Sequence, residues 1–159
     1  MPQDFTPGDA LERRHRRCAS ALAHFRLLVT EEDTALTRSD AVSEMDRLVR
    51  RVLDELHAAE TTVLDALAGT DRRRPAARLL GGRLDRLRRA GVQVDAAVRA
   101  GDVSLLRRSI TRFDALARAA CAVQLDVYGS AAVARRRAHR AAPRGPAAAA
   151  LRRRLGPVS

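Results

Sequence analysis

Apolar residues recur along most of this chain in alternating steps of four and three. Leu11, His15, Cys18, Leu22, Phe25 and Val29 form the first such seam, spaced 4-3-4-3-4. That is the stripe of a helix packing against other helices. Asp9 and Glu12 make an Asp-x-x-Glu capping pair, so the first helix is predicted from Asp9. Glu31, Glu32 and Asp33 would oppose the dipole of a helix C-terminus, which places its end near Thr30. A second helix is expected from a cap at Thr37 or Ser39, with Asp40 completing a Thr-x-x-Asp box. Its seam is Met45, Val49, Val52, Leu56, Ala59, Val63 and Ala66, widened by Leu48, Leu53, Leu64 and Leu67, and Gly69-Thr70 closes it.

Pro75 suits the first turn of a third helix, which carries Leu80, Leu84, Leu87, Gly91, Val94 and Val98. The pair Gly81-Gly82 costs about 1 kcal/mol per glycine relative to alanine, so a kink or a late start is expected there. Gly101-Asp102 stops one helix and caps the next within two residues, which makes helices 3 and 4 antiparallel neighbours. Helix 4 shows Val103, Leu106, Ile110, Phe113, Ala117, Ala120, Gln124 and Val127 and is expected to end at Gly129. Ser130 then caps a short helix that Pro143 ends. The expected class is all-α: a four-helix antiparallel, up-and-down bundle over residues 9–129. A disordered lead occupies 1–8, and a basic, partly disordered tail with short helices occupies 130–159.

Composition agrees with that class. Only 3% of residues are aromatic and none is Trp, so the interior is built from Leu, Val and Ala, of which Leu and Ala favour helix. All 30 basic residues are arginine, and Lys and Asn are absent, the pattern of a GC-rich, actinobacterial-type genome. Charge changes the picture more. Residues 1–126 hold 22 arginines and all 19 acids, a balance of +3, whereas 127–159 hold eight arginines and no acid. No apolar stretch approaches the roughly 18 residues of a membrane span. No secretory leader precedes Asp4, Asp9 and Glu12, so a cytoplasmic location is expected.

Two segments carry a family resemblance. "LERRHRR" around His15 and "LVRRVLDELHAAETTVLDAL" from Leu48 to Leu67 resemble the first two helices of hemerythrin-like (HHE) domains. The resemblance covers roughly residues 9–129 and implies a four-helix non-haem iron or redox-sensing protein. It matches His15 to the helix 1 histidine ligand and Glu60 to the bridging glutamate. The second histidine expected one turn before that glutamate is replaced by Leu56, with His57 one place off. Ala120, Cys121 and Gln124 stand where helix 4 of the family supplies a histidine and an acid. His57 and Glu60, at i and i+3 between Leu53 and Leu64, are expected to face inward. Under this alternative the metal residues are His15, His57 and Glu60 and the cofactor is non-haem iron. A second spacing, Arg51-x5-His57, is similar to that of HEPN ribonucleases, whose helical bundles set Arg and His against RNA phosphates. Arg17 and His24 repeat it at x6.

The remaining candidates are simpler. Cys18 and Cys121 fit small buried hydrophobes. They form a redox pair only if helices 1 and 4 bring their Cα atoms within about 7 Å. No complete catalytic set, Gly-rich phosphate loop or zinc spacing is present. The leading expectation is therefore a non-enzymatic interaction or regulatory protein without a cofactor. Arg135, Arg136, Arg137, Arg140, Arg144, Arg152, Arg153 and Arg154 would hold a polyanion such as nucleic acid, or a partner protein. Leu151 and Leu155 share one helical face toward a partner. Self-association into a homodimer is a further arrangement this pattern allows.

Overall fold

The computed structural model describes residues 6–30 and 39–141, with side chains described over 6–27 and 42–138. Among the described residues all regular structure is helical: α1 (Pro7–Thr30), α2 (Ser39–Ala66), α3 (Arg73–Ala100) and α4 (Val103–Ala141). No helix among them is long and apolar enough to cross a membrane. The chain divides into two compact units, residues 1–128 and 129–159.

Capping explains where the helices begin. α1 starts two residues before the expected Asp9. Thr6 is its cap: the Thr6 hydroxyl accepts from the Asp9 amide at 3.2 Å, and the Thr6 amide donates to Asp9 Oδ2 at 3.0 Å. Pro7 fills the first helical position, where its missing N–H costs nothing. Asp9 is thus the reciprocal acid of the box, and its hydrogen bonds with Thr6 hold its carboxyl below the usual range. Thr37, the lead residues 1–5, the link 31–38 and the tail beyond Ala141 lie outside the described residues.

The α2–α3 link turns at Gly69, with φ of +76°, and the Thr70 amide and hydroxyl both donate to Leu67 O, at 3.1 and 2.8 Å. The α3–α4 link is the two-residue device the sequence predicts. Gly101 adopts φ of +67° and donates its N–H to Val98 O, while Asp102 Oδ1 accepts from the Leu105 amide at 2.8 Å.

Two expected boundaries are corrected. α3 runs through Gly81-Gly82 without a break, because Leu80, Leu84 and Leu87 around the pair are buried and packing outweighs the glycines' weak propensity. α4 does not stop at Gly129 but continues to Ala141. An isolated glycine costs a helix only about 1 kcal/mol, and Ala131, Ala132 and Ala134 resume good helix formers.

One core joins all four helices: Cys18, Leu22 and Phe25 from α1; Met45, Leu48, Val52 and Leu56 from α2; Leu84, Leu87 and Val94 from α3; Leu106, Ile110, Phe113 and Ala117 from α4. Phe25 and Phe113 meet with ring centroids 5.8 Å apart. The cross-helix contacts keep a register. Arg17 meets Glu55 and His24 meets Glu44 between α1 and α2. Val49 lies against Gly91, and Glu60 beside Gly81, between α2 and α3. His15 meets Gln124 and Phe25 meets Phe113 between α1 and α4. In each pair numbers rise on one helix as they fall on the other, a bundle-like arrangement.

Candidate functional site

The basic segment begins within α4. Arg135, Arg136 and Arg137 lie on its helical part and are exposed. Consecutive helical residues point about 100° apart, so these three guanidinium groups surround the helix rather than line one face. Arg140 falls within the span of α4. Arg144, Leu151, Arg152, Arg153, Arg154 and Leu155 lie outside the described residues.

His15 lies on α1, apart from His57 and Glu60, which are neighbours on α2. His57 is exposed, which corrects the expectation that it faces inward with Glu60; it falls one position beyond Leu56, the fully buried seam residue. Glu60 is half-buried beside Gly81 of α3. Burial pushes its carboxyl up, against the lowering influence of His57 and Arg88. His15 is half-buried on α1 and reaches Gln124 of α4. Among the described residues, no group of three or more His, Cys, Asp or Glu is disposed to hold a metal ion. All four residues of the HEPN-like pairs are exposed. Arg51 and His57 are both exposed on α2, while Arg17 is paired with Glu55 and His24 with Glu44.

What the structure does assemble is a polar seam between α1 and α4. Gln124 is 4% exposed and uses both ends of its amide. Its Nε2 donates to the Leu56 carbonyl at 2.8 Å, and its Oε1 lies 2.7 Å from His15 Nε2. The donation to Leu56 turns the amide oxygen toward His15, so the neutral imidazole carries its proton on Nε2. Nδ1 is then an acceptor, buried and, among the described residues, without a hydrogen-bond partner.

One turn along each helix stand Cys18, buried, and Cys121, half-buried, both free. An interaction between their thiols spans the seam. It raises Cys18, which burial raises further, and lowers Cys121, against the raising effect of burial there and with Arg118 lowering it as well. Beyond them Asp114, 7% exposed, pairs with Arg26 across the seam and with Arg118 on its own helix.

Comparison with protein-family models, with curated proteins and with solved structures gives no match to this chain.

Sequence periodicity places His15, Cys18 and Gln124 in seams but leaves their pairings open. The signal for them is present only once α1 and α4 are aligned in opposite directions, since His15 with Gln124 and Cys18 with Cys121 then fall in one register. Ser109, which follows Arg107-Arg108 in a pattern a basophilic kinase accepts, is buried.

Proposed function

We propose that this chain is a non-enzymatic interaction protein: a helical body that acts as scaffold, and an arginine-rich C-terminal segment that docks on a polyanion. The body is inferred to be an up-and-down antiparallel four-helix bundle, in keeping with the opposed registers of its contacting helix pairs. One observation carries the functional reading. Eight arginines and no acid occupy residues 127–159, while 1–126 are nearly charge-balanced. Charge segregated in this way attracts polyanions without specifying a sequence. Arg135, Arg136 and Arg137 are exposed, as such a contact requires.

The test compares the full-length protein with a variant in which all eight of these arginines are glutamine, binding a labelled nucleic-acid duplex of arbitrary sequence. Wild-type affinity is expected to fall linearly on a log–log salt plot, with a slope of up to about −7 if every arginine meets a phosphate. The variant is expected to bind far more weakly with the same helical melt. Equal binding by both proteins removes the reading.

A further inference from the structure

The surface between α3 and α4 sinks into two adjoining hollows of about 550 and about 380 Å³. Gln93 and Arg112 belong to both; Arg86 and Arg89 line the first and Arg108 the second. Ala90, Leu116, Ala96 and Leu105 supply the apolar part of the walls, and among the described residues no carboxylate lines either hollow. All four arginines are exposed.

What sets these four apart is that they share one furrow without a described acid. Nine arginines of the body answer carboxylates, among them Arg16 with Glu12, Arg47 with Glu44, Arg50 with Asp46, Arg88 with Asp85 and Arg99 with Asp95. Glu55 takes Arg14 and Arg17, and Asp114 takes Arg26 and Arg118. Among the described residues Arg86, Arg89, Arg108 and Arg112 make no ion pair. Arg112 reaches only the neutral Gln93, at 3.4 Å. Four like charges are thus gathered along one furrow whose low-dielectric walls focus their field. Their mutual repulsion is relieved by an anion, and the guanidinium fork fits phosphate oxygens.

The spacing describes that anion. Arg86 and Arg89 are separated by about 4.5 Å of helix rise and Arg108 and Arg112 by about 6 Å, and the furrow from Arg86 to Ala96 runs about 15 Å. A single phosphate would answer only part of it. A cleft between two helices packed about 8–10 Å apart is narrow, fitting one strand rather than a duplex. Among the described residues no aromatic side chain lines it, so bases find no stacking platform there and recognition rests on phosphates.

We propose that the α3–α4 furrow seats a linear chain of phosphates, the sugar–phosphate backbone of single-stranded nucleic acid, without regard to base sequence. This site is separate from the C-terminal segment, and its test is run with that segment's eight arginines already changed to glutamine.

On that full-length background the probe is a labelled oligothymidylate of about 16 nucleotides, the upper end of typical single-strand sites. Adding R86Q, R89Q, R108Q and R112Q is expected to weaken binding at least about tenfold and to flatten the salt slope by about 3 units, at about 0.7 per contact. A control set of equal charge, R16Q, R47Q, R50Q and R99Q, is expected to bind as the background does. Unlabelled inorganic polyphosphate is expected to displace the oligonucleotide. Equal weakening by the two sets would reduce the effect to net charge and overturn the site. So would unchanged binding by the furrow set, or failure of polyphosphate to compete. The single variants R89Q and R112Q, each expected to bind more weakly than the background, repeat the test with the least change to the fold.

Discussion

Gln124 occupies a core of leucine, valine and alanine with both ends of its amide engaged, by the Leu56 carbonyl and by His15. A buried amide without partners would cost several kcal/mol, so the pairing is what permits the residue there. Glu60 shows the opposite case, a carboxylate that burial disfavours. Its proton is held more tightly in the folded than in the unfolded chain. Relative to the unfolded chain, the protonated form is therefore the favoured one, and that contribution is lost as pH rises through the folded-state value. Glu60→Gln, which preserves shape and helix propensity, is expected to stabilise the protein at pH 7. The gain is on the order of a few tenths of a kcal/mol, small because the half-exposed group is screened. Thermal melts of the two proteins should differ at pH 7 and converge below the ordinary carboxylate range. A variant equally or less stable at pH 7 would show that the charge is not strained. The sequence places Glu60 near the core face of α2, but the Arg88 and Asp85 charges that act on it come from α3, of which the helical period of α2 says nothing.

At the scale of elements, two glycines of α3 act in opposite ways. Gly82 is exposed, and a β-carbon added there would have nothing within 4 Å. Gly82→Ala is therefore expected to stabilise by roughly 0.5–1 kcal/mol through helix propensity alone. At Gly91 a β-carbon would lie 2.9 Å from Val49 Cγ1 and 3.6 Å from Phe113 Cε2. Val49 is buried and β-branched, so its rotamer has little freedom to yield. Gly91→Ala is expected to destabilise by about 1 kcal/mol net, since overpacking costs about 1–3 kcal/mol and propensity offsets only part. Urea denaturation midpoints decide both signs, and a stabilised Gly91→Ala would mean that α2 and α3 adjust easily. Both residues fall within one helical pattern in the sequence. Only the approach of α2 separates them. Helix starts, by contrast, are legible in the sequence to within about two residues because caps are local. Even so the α1 box lies three residues ahead of the sequence expectation, since Thr6 rather than Asp9 holds the cap.

For the whole molecule, Phe25 and Phe113 join the first and last helices of the core, 1% and 0% exposed. Phe113→Ala is expected to cost about 3–5 kcal/mol, enough to unfold a marginal domain cooperatively, and a shift of the denaturant midpoint with unchanged slope reports it. A loss below about 1 kcal/mol would mean the helices are not united by a common interior. Charge is likewise a property of the whole: Glu12, Glu44, Asp46, Glu55, Asp85, Asp95 and Asp114 are each committed to particular arginines, and among the described residues no carboxylate lines the α3–α4 furrow.

The amino-acid sequence alone determined the helical class, the buried stripe of each helix, the α3–α4 turn and the basic C-terminal segment. Each follows from spacing, propensity or composition within a short window. The tertiary structure decided the partners: Gln124 for His15, Cys121 for Cys18, solvent for His57, and which arginines go without an acid. A helix's period fixes the face it buries but not the rotation and register of the helix that covers it. Pairings across helices therefore exist only once the four stripes have closed on one another.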